Sequence, residues 1–326
     1  MFDEIYLRLL ANVMPHEIRP NKLDFDRLLT QFHAGTLAPS AYGLLIHQSY
    51  QHNPDSSIGL RFGQHLHPAT LCDLSRALLT SANTSELLRL ISEYHFTHGA
   101  SYYPSINKTE THWSLALTYP FEETVPRNKR RFCAEAAFSY FINSFKELLH
   151  KPVKPRAVYL DFPKPVYADE YAAWQCPVYF DHPLAMISFD SDFLNEPFHT
   201  SSPILHQIYI NKCIDSWRKS KRIQNLEHRA VCLMMQQHPD NFQSDSLAEK
   251  LNISVRGLQK RLNKHGESYS QLSHYSRREL SKIYLFQKKE TLDATAEKLG
   301  FHSASGFRRF FKQEFHQTPV DYLRQL

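Results

Sequence analysis

The chain has 326 residues, 42% of them hydrophobic and 22% charged, with a formal net charge of +5. That length allows two domains with cores of their own. No run of about 18 apolar residues occurs, so no membrane-spanning helix is expected, and the acidic start Met1-Phe-Asp-Glu-Ile-Tyr6 lacks the basic and apolar regions of a secretory signal. Five cysteines (Cys72, Cys133, Cys176, Cys213, Cys232) are odd in number, far apart and without a Cys-x-x-Cys pair. They read as reduced and mostly buried, which points to the cytoplasm rather than to a disulfide scaffold.

Residues 1 to about 98 read as mainly helical, with apolar positions at helical spacing over Glu4–Val13, Asp24–Phe32, Ser40–Gln51 and a long run Thr70–His95 that can break near Ser81–Thr84. Residues Ser101–Pro120 alternate and are rich in Tyr, Thr and Trp, the pattern of a strand pair turning at Asn107-Lys108. A helix is expected over Lys129–Leu149, with Phe132, Ala136, Tyr140, Phe141, Phe145 and Leu148 as its apolar stripe. Strands return at Ala157–Phe162, Val178–Phe180 and Ala185–Phe189, and Pro203–Ser220 reads as a helix leading through the basic stretch Arg218–Arg222 into the last third. The division this suggests is an α+β domain over 1–200, a helical linker over 201–223 and a helical domain over 224–326.

Within that last third one string occurs twice. Ala248-Glu-Lys-Leu251 returns as Ala296-Glu-Lys-Leu299. Each copy is followed by a residue that tolerates left-handed backbone, Asn252 or Gly300. A plausible N-cap comes next, Ser254 or Ser303, and then a basic amphipathic helix. This is a duplicated helix-turn-helix, over about 244–264 and 292–315. At about 100° per residue, Leu258 and Leu262 share the inner face of the first basic helix, and Arg256, Lys260 and Asn263 lie opposite with Gln259 on the flank. In the second, Phe307, Phe310 and Phe311 turn inward, Ser305, Arg309 and Lys312 lie opposite, and Arg308 flanks. Such side chains can donate to guanine, pair with adenine or hold phosphates. Residues 221–326 hold 18 Lys and Arg against 11 Asp and Glu, so the chain's positive excess sits wholly on this end, as phosphate neutralisation requires. Double-stranded DNA is therefore the expected partner, with Arg256, Gln259, Lys260, Asn263, Ser305, Arg308, Arg309 and Lys312 as its candidate contacts. A merely solvated basic face is the bland alternative, and the duplication argues against it.

The stretch Ala296–Phe301, with Ser303, Phe307, Arg309, Phe311-Lys312, Phe315, Thr318-Pro319 and Tyr322, closely resembles the signature of AraC/XylS-type transcription regulators, and Ser254–Leu262 resembles the first helix-turn-helix of that family. Two positions depart from the pattern: His316 stands where Gly is usual, and Leu323 where Arg is usual, with Arg324 one place on. The resemblance implies a connector helix between the two units, here Tyr275–Gln287, that holds both recognition helices on one face of the duplex. Arg277, Arg278 and Lys282 on it are candidate phosphate contacts. It also implies a homodimer, RNA polymerase as a partner, and activation rather than repression. In the first two-thirds, Ser57-Ile-Gly-Leu-Arg-Phe-Gly63, the Pro68–Leu79 helix, Ser85–Arg89 and Pro177–Asp181 with Phe189 resemble the "arabinose-binding-like" N-terminal domain found on a subset of these regulators, a label that does not fix a sugar. The fold class expected is thus an α+β N-terminal effector domain followed by an all-α DNA-binding domain with two helix-turn-helix units joined by a connector helix.

A small-molecule effector of unknown identity would sit in an aromatic-lined cleft of the first domain. Arg61 and Arg89 are candidates to pair with a carboxylate ligand, and Tyr94, Phe96, Tyr103 and Trp113 to line the cleft; core packing or a surface ion pair is the competing role for each. His65-x-His67 and His95-x-x-His98 have no further ligand at metal spacing, so neither metal nor cofactor is expected. No Gly-x-Ser-x-Gly, phosphate-binding Gly loop or His-Glu-x-x-His occurs, and with nine Gly in the chain no catalytic residues are assigned. A ligand-independent architectural DNA binder and an enzyme domain fused to a DNA-binding domain stand as alternatives.

Overall fold

The computed structural model describes residues 4–13, 22–34, 41–67, 72–95, 102–120, 125–219, 226–236, 239–264 and 266–324. It divides into two compact units, Met1–Leu117 with Glu123–Asp215, and Thr118–Glu122 with Ser216–Leu326. No helix among the described residues is long and apolar enough to cross a membrane.

The first unit begins with α1 (Glu4–Val13), α2 (Lys22–His33) and α3 (Ala41–His52), near the expected bounds. The run over 70–95 is two helices, α5 (Asp73–Leu79) and α6 (Thr84–Tyr94). Asn83 makes the break: its side chain accepts from the Glu86 amide at 3.0 Å while Glu86 Oε2 accepts from the Ala82 amide at 2.7 Å, a reciprocal cap that starts a new helix. Between α3 and α5 lies α4 (Ile58–His65), which is not among the expected helices. It lies against the long helix α7 (Arg127–Leu149) with no room between the backbones. A Cβ on Gly63 would stand 2.4 Å from the Ala136 carbonyl oxygen, and one on Gly59 would stand 2.6 Å from Glu135 Oε2.

One five-stranded sheet follows, in the order β1-β2-β5-β3-β4, from β1 (Tyr103–Lys108), β2 (His112–Thr118), β3 (Ala157–Tyr159), β4 (Val178–Tyr179) and β5 (Ala185–Asp190). β5 runs antiparallel to both β2 and β3, pairing Trp113 with Phe189, and β3 and β4 run parallel. β2 is buried from Trp113 to its end, as a central strand covered on both faces should be. The Trp113 ring stacks on Phe189 at 4.8 Å and meets Phe145 of α7 edge-on at 5.7 Å. The expected strand Ala157–Phe162 stops three residues early, and a 3-10 helix not anticipated from the pattern, Ala168–Trp174, brings Tyr171 and Trp174 into the interior. Helix α8 (Pro203–Lys219) follows the sheet. Of the five cysteines, none in a disulfide, only Cys213 is buried; the other four are half-buried, more open than expected.

One buried polar cluster has no forerunner in the sequence reading. Glu135, fully buried on α7, accepts hydrogen bonds at Oε1 from the hydroxyls of Tyr167 and Tyr171, the latter at 2.5 Å, and from Arg131 Nε at 3.4 Å. The Arg131 guanidinium also donates to the carbonyls of Pro54 and Ser56, each at 3.0 Å, and sits over the rings of Tyr167, Tyr50 and Phe162 at 4.7, 5.1 and 5.8 Å. Burial pushes the Glu135 carboxyl above its ordinary value even with Arg131 pulling it down. The cluster ties α7 to the loop ahead of α4 and to the 3-10 helix.

The second unit is helical: α9 (Leu226–Met235), α10 (Ser244–Lys250), α11 (Val255–Lys264), α12 (Tyr269–Lys282) running on as a π turn over Ile283–Gln287, α13 (Leu292–Lys298), α14 (Ala304–Phe315) and α15 (Pro319–Arg324). The connector thus begins six residues ahead of the expected Tyr275, because Ser268 caps it: its hydroxyl accepts from the Gln271 amide at 3.2 Å. Leu258, Leu262, Leu280, Ile283, Leu299, Phe307 and Phe311 are fully buried.

Candidate nucleic-acid interface

The doubled string owes its form to how its helices end. In the first copy Asn252 is left-handed at φ 58°, its amide donates to the Glu249 carbonyl at 2.9 Å, and the Ile253 amide donates to Ala248 at 3.0 Å. In the second, Gly300 stands at φ 69°, its amide donates to Glu297 at 2.9 Å, and the Phe301 amide donates to Ala296 at 2.9 Å. These are two Schellman closures on the same two carbonyls of the repeated string. Ala248 and Ala296 are buried, so the partner helix can approach closely. The next helix is capped alike in both copies: Ser254 Oγ accepts from the Gly257 amide at 3.1 Å, and Ser303 Oγ accepts from the Gly306 amide at 3.2 Å. At the far end of α14, His316 adopts φ 58°, so the left-handed turn that Gly would usually make is made with a side chain present.

Backbone closure and capping are thereby complete within the chain, and the outer faces of α11 and α14 are left over. Arg256, Gln259, Lys260 and Asn263 on α11, and Ser305, Arg308, Arg309 and Lys312 on α14, are all exposed, and none of their side chains is hydrogen-bonded or ion-paired to another described residue. Each helix therefore presents four polar side chains, five of the eight being cations, with their donors unspent. Such a surface can meet phosphate oxygens and base edges.

The connector cations are placed differently from the expectation. Arg277 lies between two rings, its guanidinium 4.8 Å from Phe242 and 5.0 Å from Phe301, and Nε donates to the Leu299 carbonyl at 2.8 Å. Burial lowers its pKa from the usual guanidinium value. Lys282, almost fully buried, pairs with buried Glu279 at 2.7 Å, and Arg278 stands 3.8 Å from the same carboxylate. These three cations are spent inside the unit. Arg277 in particular links the segment ahead of the first helix pair, through Phe242, to the turn of the second, through Leu299 and Phe301. Its position on the polar side of the connector hides this, because both rings come from elsewhere in the chain.

Of the six residues expected around an effector, five lie among the described residues. Arg61 is half-exposed and pairs with Glu170 at 3.6 Å. Arg89 is half-exposed on α6 and pairs along its own helix with Glu93 at 2.9 Å and Glu86 at 3.8 Å. Tyr103 is buried, its ring edge-on to His95 at 5.4 Å, and Trp113 is locked in the Phe145–Phe189–Phe193 stack. Tyr94 closes α6, and Phe96 lies outside the described residues. Tyr103 and Trp113 thus belong to the core, and the two arginines make ion pairs at the surface.

Comparison with known proteins covers both units. The model of the arabinose-binding domain of AraC transcription regulators, N-terminal, matches residues 7–198, and a helix-turn-helix domain model matches residues 247–325. The ornithine utilization regulator of Pseudomonas aeruginosa is 25% identical over 270 residues, 82% of this chain and 78% of that protein. Among solved structures, the transcriptional regulator CdpR from Pseudomonas aeruginosa is 19% identical with a TM-score of 0.46, covering 94% of this chain and 99% of that one. A DNA-binding transcriptional dual regulator from Escherichia coli K-12 is 26% identical with a TM-score of 0.27, covering 31% and 91%. At these TM-scores neither superposition bears on the fold.

Proposed function

The chain belongs to the AraC-type transcription regulators that carry the arabinose-binding N-terminal domain, and from that membership we propose that it is a sequence-specific DNA-binding activator controlled by a small-molecule effector in its N-terminal domain. Membership points to a regulator rather than an enzyme. The observation that carries the DNA-reading part is the pair of matched closures, each presenting a recognition helix with four exposed, unpaired polar side chains. On this reading α11 and α14 enter successive major-groove segments about 34 Å apart. Arg256, Gln259, Lys260 and Asn263 read one half-element, and Ser305, Arg308, Arg309 and Lys312 read the other. The two sets differ in chemistry, so the site is asymmetric within one monomer. Arg309→Ala is expected to cost about 1–3 kcal/mol on a duplex selected from a random library by the full chain, with relaxed preference at one position. Wild-type affinity should fall steeply with salt. An unchanged footprint and affinity for the variant would remove Arg309 from the reading set, and a flat salt response would reject phosphate-dominated docking.

The effector shifts an existing equilibrium between conformations that differ in DNA affinity. The relative's association with ornithine utilization makes amino acids the first class to test. A second copy of the chain is the proposed partner of α8, which leaves Ile204, Leu205 and Ile208 exposed at 77%, 45% and 44%, an apolar strip that water does not favour. RNA polymerase follows from the family. Sedimentation of the full chain, alone and with each amino acid in turn, should show a dimer and a ligand-dependent shift. A monomer throughout would remove the dimer, and indifference to every amino acid would remove that effector class.

A further inference from the structure

Only nine of the 326 residues are Gly, and two of them occupy the same place in the two recognition helices: Gly257 is the third residue of α11 and Gly306 the third of α14. Neither place needs glycine for its backbone conformation, and at Gly306 none is needed for space. Among the described residues the positive-φ glycines are Gly266 and Gly300, so both helix positions have ordinary backbone. A Cβ on Gly306 would meet its nearest neighbours, Ser303 Oγ and Phe301 Cδ1, at 3.7 and 3.8 Å, which is normal contact. A Cβ on Gly257 would meet Ser254 Oγ at 3.1 Å, tighter than ordinary contact and against the hydroxyl that caps the helix, so Gly306 is the cleaner of the two cases. Glycine inside a helix destabilises it relative to alanine, and the chain bears that cost at both copies of one position.

That position is on the flank of each helix, beside the outer face. One turn on from Gly306 stand Arg309 and, a turn later, Gln313; one turn on from Gly257 stand Lys260 and then Lys264, all exposed. Each glycine thus opens a notch at the head of a polar stripe, bare Cα outward. Glycine is the residue that lets a backbone and a ligand approach closely. Resting on the DNA-binding reading, we infer that Gly257 and Gly306 are the points where the sugar-phosphate wall of the groove packs directly on the recognition helices. The cations one turn further along hold the phosphates of the same strand. The ligand chemistry is duplex DNA backbone, read by shape at these two points rather than by base.

The test sets two measurements against each other. The Gly306→Ala chain should melt about 2–5 °C higher, because alanine is the better helix former. It should also bind the duplex selected by the wild type about tenfold more weakly, because a methyl group then stands between helix and strand. A purely structural glycine cannot give that opposition. A stabler variant that binds as tightly as wild type, or more tightly, overturns the inference, and so does a variant that melts lower, since the methyl would then collide within the chain. A wild-type chain that selects no duplex at all brings down the DNA-binding reading and this inference with it. A binding wild type with an equally binding variant brings down this inference alone.

Discussion

Replacing Arg131 by methionine should cost the first unit about 3–5 kcal/mol, the penalty for leaving a buried carboxylate without its counter-ion. Methionine keeps much of the volume and can still fill the space between the rings of Tyr50, Phe162 and Tyr167. What disappears is the charge beside Glu135 and the donors to Pro54 and Ser56. Glu135 is fully buried and Arg131 15% exposed at the side chain, so solvent offers neither a replacement partner. Two hydroxyls, from Tyr167 and Tyr171, would still donate to the carboxylate, which is why the loss is not larger. Trp174 gives a built-in reporter, since its Nε1 donates at 3.0 Å to Ser139, one turn along α7 from Glu135. Urea unfolding followed by its fluorescence should show the variant's midpoint fall; a shift equivalent to less than about 1 kcal/mol would mean the cluster is decoration.

The same cluster predicts how that deficit responds to pH. Burial already raises the Glu135 carboxyl above its ordinary value, and removing Arg131 removes the main influence opposing it. A carboxyl whose folded value is raised destabilises the fold once it must ionise, and the penalty is relieved as pH falls through the raised value. The gap between wild type and Arg131→Met should therefore narrow on acidification, and Glu135→Gln added to Arg131→Met should recover part of the loss at neutral pH. A gap that is constant with pH, with no recovery in the double variant, would place the effect in lost packing rather than in charge.

What could be read from the sequence depended on how local each device was. The Schellman closures, the serine caps and the inward faces of α11 and α14 are all settled within six residues of chain, so spacing exposes them. The break between α5 and α6 is likewise local, made by Asn83 and Glu86. Helix α4 escapes because it is eight residues long, with two glycines that conventional propensity counts against it. They are there because α7 leaves no room for a Cβ, a fact that only the packed structure contains. The effector candidates pose the same difficulty in reverse. Aromatic density around β1 and β2 cannot distinguish a lined cleft from a filled one, and here Trp113 is filled around by Phe145, Phe189 and Phe193. The Arg131–Glu135 pair does carry a local signal, opposite charges four apart on one helix. A surface pair looks identical in sequence, so burial is what gives it weight.

Arg277 is where a sequence-based role and a structural role can be separated by experiment. As a phosphate contact it would be one charge among several: Arg277→Met would weaken every duplex alike and lower the salt slope by about one, and lysine would substitute well. The structure instead places it as a clasp between Phe242, Phe301 and the Leu299 carbonyl. A charged hydrogen bond of about 1.5–3 kcal/mol and two partly desolvated ring contacts of about 0.5–2 kcal/mol each do not add fully, so removal should destabilise the second unit by about 2–4 kcal/mol. Arg277→Lys should not rescue it, since an ammonium lacks the flat fork that lies between rings while donating sideways. The consequence for DNA follows from geometry. Each recognition helix keeps its own cap and outer face, so a duplex holding one half-element should be bound nearly as before. A duplex holding both should lose most of the advantage of simultaneous engagement, which depends on the second helix arriving already placed. Equal losses on one-element and two-element duplexes, with lysine restoring both, would return Arg277 to the phosphates and take the clasp away.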